Sequence, residues 1–274
     1  MFEHPWFRTL AVSLALLTLA GCGGNGGDEN EYKPGSVGEL YNEAMDLMNE
    51  GAYQQAAKTF TEVERQHPYS VWASKAQLMA AYAGYKDNSY QEAINALDRF
   101  IELHPGNRDI DYAHYLKGLS YYERIRDVRR DQGMTQKAKD AFQRVVKRFP
   151  DSQYARDAKF KLDLVENHLA GKDMAVGRFY QDKGHYLAAM NRFRAVVKKY
   201  QTTTHVKEAL HRLVECYIAL GLTEEAKMTA SVLGHNFPAS AWYADSYELL
   251  TGEDVAIERP DGDSWIGGVW RSVI

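Results

Sequence analysis

Residues 53–68, YQQAAKTFTEVERQHP, set a spacing that recurs four more times along the chain. The segment places Ala56 three positions and Phe60 seven positions after its first residue, and it ends at Pro68. The further copies begin, in the same frame, at Tyr90, Thr135, Tyr186 and Thr223. Residues with this spacing share one face of a helix, and proline ends a helix because it lacks an N–H and restrains its predecessor. Each copy therefore predicts one amphipathic helix and its end.

A second helix is expected before each copy. In four of the five repeats a small residue or valine stands twelve positions before the alanine: Ala44, Ala81, Gly177 and Val214. Small side chains on two facing helices let the helices pack closely. Paired helices with this order of small, aromatic and proline residues follow the tetratricopeptide pattern. We therefore predict an all-α fold, a tetratricopeptide-repeat solenoid of about five helix pairs.

The repeats divide the predicted solenoid into two blocks. Repeats one to three occupy residues 36–150, and repeats four and five with a terminal cap occupy residues 151–250. The remaining residues, 251–274, are first polar and then contain Trp265 and Trp270. Large apolar groups clustered in this way are seldom left in water. We expect this tail either to fold back on the last helices or to dock on a partner.

Two segments depart from the regular spacing. Repeat three carries eight additional residues within 123–134, ERIRDVRRDQGM, which predict a longer first helix and a loop that ends near Gly133. Arginines and acids alternate there, so a solvated helix face with i,i+4 ion pairs is favoured over an anion site. In repeat four, Ser152 and Gly171 have the residue types of a helix start and a helix stop, which predicts a separate helix over 152–170.

The N-terminal segment 1–21 has the features of an export signal. Its apolar run is about half the length that crosses a bilayer, which favours a signal peptide over an anchor helix. Residues 19–22, LAGC, resemble the lipobox of bacterial lipoproteins. That resemblance implies that Cys22 is lipidated and becomes the N-terminus, and that its acyl chains hold the protein on a membrane. Residue 23 is glycine rather than aspartate, and in this the chain is similar to lipoproteins sent to the periplasmic face of the outer membrane. Residues 22–35, rich in glycine and acids, are expected to form a flexible tether.

The composition argues against several classes of function. The 274 residues carry a formal net charge of -4, which lacks the basic excess typical of nucleic-acid-binding proteins, so no nucleic-acid partner is expected. The two cysteines are too few for a disulfide framework. Cys216 stands among apolar residues, which indicates a small core side chain rather than a nucleophile.

The sequence contains no catalytic or metal-binding motif of the HExxH, CxxC, P-loop or GxSxG type. Its nine histidines are scattered. His67 and His104 stand where the other copies have Phe149, Tyr200 and Phe237, which indicates packing at helix ends rather than metal binding. We therefore expect no metal, no cofactor and no enzymatic activity.

The repeat frame does predict a binding surface. In tetratricopeptide arrays the first helices line a groove, at positions three before, one after and four after the small residue. In repeats one to three these positions are Tyr41, Met45, Met48, Leu78, Tyr82, Tyr85, Tyr115, Leu119 and Tyr122. Tyrosine and methionine suit an extended or aromatic peptide, although aromatic stripes of this spacing also pack into cores. In repeats four and five the same positions are more polar: Met174, Arg178, Gln181, His211, Glu215 and Ile218.

The lipobox, the short tether, the five repeats and the extended third repeat together resemble the BamD family, lipoproteins of the outer-membrane β-barrel assembly machine. The stretches that carry the resemblance are GAYQQAAKTFTEVERQHPYS at 51–70 and SYQEAINALDRFIELHPGN at 89–107. The resemblance covers Leu19 to about Leu250 and leaves the tail uncovered. It implies a non-enzymatic scaffold anchored in the outer membrane.

The resemblance also implies partners. The first repeats would receive the C-terminal, aromatic-ended strand of nascent outer-membrane β-barrel proteins, which matches the tyrosine-rich groove. The last repeats would hold a POTRA domain of BamA, with Arg178, Asn191 and Arg192 as the candidate docking residues. The resemblance leaves open whether other Bam lipoproteins are also partners.

A different function remains open at this point. A tetratricopeptide lipoprotein could instead organise enzymes of peptidoglycan synthesis or cell division, and its groove would then bind a folded partner. The level of outer-membrane porins after depletion of the protein distinguishes the two hypotheses.

Overall fold

A computed structural model describes residues 36–252 of the chain. In that range the chain forms helices joined by turns: α1 (Val37–Asn49), α2 (Tyr53–Gln66), α3 (Val71–Lys86), α4 (Tyr90–Leu103), α5 (Ile110–Tyr122), α6 (Gly133–Arg148), α7 (Ala155–Asp182), α8 (Tyr186–Lys199), α9 (Val206–Ala219), α10 (Thr223–Asn236) and α11 (Ala241–Thr251). The predictions for residues 1–35 and 253–274, which include the signal peptide, the lipidation of Cys22, the tether and the tail, lie outside the described residues. The division of the solenoid at residue 150 stays a prediction.

The helices pack in chain order. They form five consecutive pairs, from α1 with α2 to α9 with α10, and α11 then packs against both α9 and α10. The first helices also contact one another, α1 with α3, α3 with α5 and α5 with α7. Between residues 36 and 252 the second helices make no comparable contacts with each other. The first helices therefore form the tighter, inner row of a tetratricopeptide solenoid, and the predicted all-α fold is confirmed.

The small-residue positions explain how the two helices of a pair approach. A Cβ added at Gly177 would lie 2.5 Å from Cε1 of Phe193, and one added at Gly118 would lie 2.7 Å from Cε1 of Phe142. Both rings are fully buried. The absence of a side chain on the first helix therefore creates the space that the aromatic ring of the second helix fills.

The second helices share one type of ending. The residue after each of them has φ between -141° and -127°, and its N–H bonds to the carbonyl four residues earlier. These residues are His67, His104, Phe149, Tyr200 and Phe237. The predicted role of this column, packing at helix ends, agrees with the contacts of two members: the ring of His104 lies 5.3 Å from that of Phe100, and Tyr200 is buried.

The predicted extension of the first helix in repeat three is wrong, because α5 ends at Tyr122 and residues 123–132, which we call the insertion, form a non-helical loop. The predicted loop end is correct, since α6 begins at Gly133. Local side-chain bonds compete with helix formation here. The Asp127 carboxylate accepts from the N–H of Arg129, and the Gln132 amide donates to carbonyl oxygens of the loop. The arginines of the insertion are therefore not arranged on a helix face.

The predicted helix stop at Gly171 is also wrong, because α7 runs without a break from Ala155 to Asp182. Gly171 is buried inside this helix, where an added Cβ would lie 3.2 Å from Nε2 of His205 and 3.6 Å from Cγ1 of Val128. This glycine therefore serves close packing between α7, the insertion and the turn before α9, which outweighs its local cost to the helix.

Candidate binding surfaces

The described part of the chain offers no obvious catalytic or metal centre. No group of three or more potential metal ligands occurs among residues 36–252. Burial raises the pKa of the fully buried Cys216 thiol to about 11, which keeps it protonated and makes it a poor nucleophile. None of the helices in this range has the length and apolarity needed to cross a bilayer.

The tyrosine stripe comprises the nine predicted groove residues on α1, α3 and α5. All are partly buried except Leu78, which is buried in the core beside Ala81 and Leu97 and offers no surface to a ligand. At the first helix, the Tyr41 ring lies 4.8 Å from that of Trp72 and 5.3 Å from that of Phe60. The stripe is therefore anchored in the core, and its members other than Leu78 expose part of each side chain.

A tyrosine cluster forms where α3, α5 and the start of α7 meet. Tyr154, the residue before α7, stacks on Tyr115 with centroids 5.1 Å apart and lies 5.1 Å from Tyr112. Burial raises the pKa of Tyr112, and the neighbouring Tyr82, Tyr154 and Tyr85 raise it further. The structure thus brings together three predicted residues and two that the repeat frame missed, Tyr112 and Tyr154. Both are tyrosines near other tyrosines in the sequence, which is a signal that could have identified them, but neither stands at a predicted groove position.

Two hydroxyl groups of the stripe bind carboxylates on other elements. Tyr115 donates to Asp157 at 2.5 Å, and Tyr85 donates to Glu123 at 3.3 Å. Burial, helped by Glu123, raises the pKa of Tyr85 to about 12. Both tyrosines therefore stay neutral at physiological pH, and their hydrogen bonds restrain the orientation of their rings.

The remaining stripe residues surround this cluster. Met45 and Met48 pack partly against the core of the first pair, and Leu119 packs between two core clusters. The Tyr122 ring lies 6.2 Å from the buried Phe142 ring and carries the Lys161 amine 5.1 Å above its centre. The lysine adds a cation to the otherwise apolar and aromatic lining.

The three candidate docking residues of the second half make separate contacts. Arg178 pairs with Glu208 on α9 at 2.8 Å, whereas Arg192 pairs with Asp173 on α7 at 3.3 Å. Asn191 is exposed and lines a shallow groove of about 340 Å³ together with Arg192 and Tyr180. Asn191 and Arg192 therefore share a surface, and Arg178 lies in the first-helix row.

The polar positions of repeats four and five form an ion-pair network rather than an open groove. Glu215 accepts from Gln181 at 2.8 Å and from Arg212 at 2.9 Å. Burial alone would raise the pKa of Glu215, but hydrogen bonds from His211, Gln181 and Arg212 outweigh burial and lower it to about 2. His211 is buried and bonds to Ser246 of α11 at 2.8 Å. Met174 is fully buried, so it lines no surface, whereas Ile218 is partly exposed.

The repeat geometry and the amphipathic first-helix row agree with a comparison to known families. The sequence profile of the YfiO family, described as outer membrane lipoprotein, matches residues 34–233. The chain belongs to this family. The predicted outer-membrane localisation and lipoprotein class are thereby confirmed.

Two relatives support the same assignment. The chain is 48% identical over 267 residues to the outer membrane protein assembly factor BamD of Caulobacter vibrioides, which covers 97% of this chain and 87% of that protein. It is 47% identical over 234 residues to BamD of Rickettsia prowazekii, which covers 85% of this chain and 92% of that protein. The predicted resemblance to the BamD family is confirmed, and with it the assignment to assembly factors rather than to enzymes.

A solved tetratricopeptide domain also aligns with the chain. The domain of P58(IPK) covers 78% of this chain and 55% of its own, with 16% identity and a TM-score of 0.41. The helix pairs described above, rather than this likeness, define the fold.

Proposed function

We propose that this protein is a non-enzymatic scaffold of the β-barrel assembly machinery, which binds unfolded outer-membrane proteins through repeats one to three and a POTRA domain of BamA through repeats four and five. The observation that carries the proposal is the contrast along the first-helix row. The row is tyrosine- and methionine-rich from α1 to α5 and ion-paired from α7 to α9. Its two halves suit ligands of different chemistry.

The tyrosine stripe suits an extended strand that ends in an aromatic residue. Its rings offer apolar faces with offset stacking geometry, and its methionines adapt to varied side chains. Because Tyr85 and Tyr115 are held by carboxylates, the binding face is arranged in advance, which lowers the entropy cost of binding a flexible strand.

The surface of Asn191 and Arg192 suits a folded domain. Both side chains are exposed on α8, beside Tyr180 of α7. Arginine and tyrosine are enriched at protein interfaces. The Arg178–Glu208 pair lies at the same end of the array and supplies charges that can interact with a domain surface of complementary charge.

The strand-binding half is tested with a synthetic peptide that carries the C-terminal strand of an outer-membrane β-barrel protein. We expect Tyr82→Ala with Tyr85→Ala to weaken binding by about tenfold or more, as for loss of buried aromatic anchors. Tyr69→Ala is the matched control, because Tyr69 is fully exposed and lies outside the stripe. Equal affinities of both variants for the peptide would contradict the strand-binding role.

The docking half is tested with the isolated POTRA domains of BamA. Arg192→Glu is expected to reduce capture of these domains. Lys198→Glu is the control, since Lys198 is an exposed cation on the same helix. Unchanged capture by the Arg192 variant would count against this docking site.

The choice between barrel assembly and wall synthesis is tested by co-purification from detergent-solubilised membranes. Recovery of a POTRA-containing barrel protein, lost or mislocalised in Cys22→Ser, supports the proposal. Recovery of peptidoglycan-synthesis or cell-division enzymes instead would leave the fold intact and replace the function with the alternative scaffold role.

A further inference from the structure

Five large apolar side chains are exposed near the helix ends at one edge of repeats four and five, and we call this set the apolar row. They stand where α7, α9 and α11 end and where α8 and α10 begin: Phe179, Leu187, Ile218, Leu222 and Leu249. Consecutive helices joined by short turns run antiparallel, so these helix ends meet at one edge, which we call the loop edge. At the equivalent helix ends of repeats one to three, no described residue exposes a large apolar side chain. The row is therefore confined to the second half of the array.

A cationic groove lies at one end of this row. It has a volume of about 580 Å³. Its lining includes three cations and one acid, Arg129, Lys172, Arg178 and Asp182, beside Phe179, which is 58% exposed. Arg178 pairs with Glu208, but Lys172 bonds only to the carbonyl of Arg129 among the described residues. The groove thus combines an exposed aromatic ring with cations that can form an ion pair with a further acidic side chain.

The long helix α7 creates this groove. It has 28 residues, whereas α5 before it has 13 and α9 after it has 14. The C-terminal turns of α7 therefore project past the end of α5. The insertion contacts this helix next to the groove, through Val128 at Gly171 and Arg129 at Lys172.

The other end of the row lies where the described chain ends. Leu249, 53% exposed, is three residues before Gly252, whose positive φ of 72° terminates α11. The sequence that follows, 253–263, contains five acidic residues and one arginine, and residues 264–270 read SWIGGVW. The tail therefore has an acidic segment followed by an apolar one, which complements a surface that offers both cations and exposed apolar side chains.

The tail is long enough to reach the groove. Packed helices lie about 8–10 Å apart, so α11 and α7, separated by α9, are about 20 Å apart at the loop edge. The eleven residues from 253 to 263 span up to about 36 Å when extended. Trp265 can therefore reach Phe179, with the acidic segment passing near the cations.

We propose that the C-terminal tail of this chain, residues 253–270, folds back along the loop edge and covers the apolar row, with its tryptophans at the groove of Phe179 and its acids near Arg129 and Lys172. The contact is intramolecular and does not depend on the partners proposed above. The occupant of the loop edge is thus a segment of the same chain.

Disulfide trapping in the full chain tests the proposal. A Cys22→Ser background leaves Cys216 as the only native thiol, and Cys216 is fully buried. Ser264→Cys is combined either with Lys183→Cys at the loop edge or with Lys199→Cys at the opposite edge. Both lysines are exposed, and they follow or end a helix of the same repeat. We expect the disulfide of the loop-edge pair to form about tenfold faster than that of the opposite-edge pair, because docking raises the effective concentration of the tail thiol there.

The charges and tryptophans are tested in the same assay. Arg129→Glu, or Trp265→Ala with Trp270→Ala, should abolish the preference for the loop edge, whereas the exposed Arg156→Glu should leave it unchanged. Circular dichroism and thermal unfolding confirm that each variant is folded. Equal rates at the two edges, or disulfides formed mainly between two chains, would overturn the proposal.

Discussion

The hydroxyl of Tyr115 on α5 donates a 2.5 Å hydrogen bond to the carboxylate of Asp157 on α7. Tyr115 also stacks on Tyr154, the residue that precedes α7. One tyrosine of the proposed peptide-binding stripe therefore joins repeat three to the helix that begins repeat four.

Removing the Tyr115 hydroxyl tests this connection. We expect Tyr115→Phe to lower the free energy of unfolding by about 1 kcal/mol. This is less than the roughly 1.5–3 kcal/mol typical of a hydrogen bond to a charged group, because Asp157 is partly exposed. Urea denaturation measures the change, and Tyr69→Phe serves as the control because Tyr69 is fully exposed. Equal stabilities of both variants would show that the bond does not join the repeats.

The close approach at Gly177 gives a second prediction. Gly177→Ala should destabilise the protein by about 1–3 kcal/mol, because the new methyl group meets the buried Phe193 ring and the core cannot expand freely. Gly38→Ala is the matched control, since no atom lies within 4 Å of the added Cβ. The control should be neutral or slightly stabilising. Thermal unfolding of both variants gives the comparison.

The ion-pair network around Glu215 predicts a pH dependence. The folded pKa of Glu215 is lowered from 4.5 to about 2, so its contribution is present at neutral pH and is lost as the pH falls from about 5 towards 2. We expect Glu215→Gln to cost on the order of 2 kcal/mol at pH 7, allowing for partial solvent exposure. The difference between wild type and variant should shrink in acid, and a difference independent of pH would contradict the assignment.

The largely buried pair of Lys139 and Glu166 joins α6 to α7 at 3.1 Å, with both side chains less than one-fifth exposed. Glu166→Leu alone should destabilise the fold by about 3 kcal/mol, because it leaves the Lys139 charge without its partner. Adding Lys139→Met should recover part of that loss, since two apolar side chains replace the pair. A double-mutant cycle in urea measures the coupling, and additive effects would show that the two charges do not interact.

The thiol of Cys216 can serve as a probe of unfolding. In a Cys22→Ser background it should react with a thiol reagent only after the chain opens, because it is fully buried and its pKa is raised to about 11. The labelling rate should rise with urea along the unfolding transition. Rapid labelling in native buffer would show that α9 opens locally.

The repeated spacing was sufficient to predict the helix pairs and the residues that end the second helices. The spacing is sufficient because Ala56 and Phe60 lie on one buried face of their helix, and the order of residues alone determines which residues share a face. The bond pattern of the insertion could not be predicted, since the contacts of Asp127 and Gln132 follow no period. The place of Gly171 inside a helix could not be predicted either, because its tertiary neighbour His205 lies more than thirty residues away in the chain.

The candidate surfaces were predicted less completely than the fold. The binding role of the tyrosine stripe stays a prediction, and the repeat frame is wrong in assigning the buried Leu78 and Met174 to the surface. The same position of a repeat faces core or solvent according to the offset of the next pair, and spacing carries no information on that offset. Tyr154 was missed because it belongs to a turn rather than to a repeat position.

The 28 residues of α7 make it a rod about 42 Å long. Asp157, near one end, holds the Tyr115 hydroxyl, and Arg178, near the other end, holds Glu208. A tilt of about 5° around the first end displaces the far end by almost 4 Å, which is about two-thirds of the rise of one helical turn. The two proposed surfaces therefore share one continuous helix, and a tilt of α7 about one end would displace the surface at the other end.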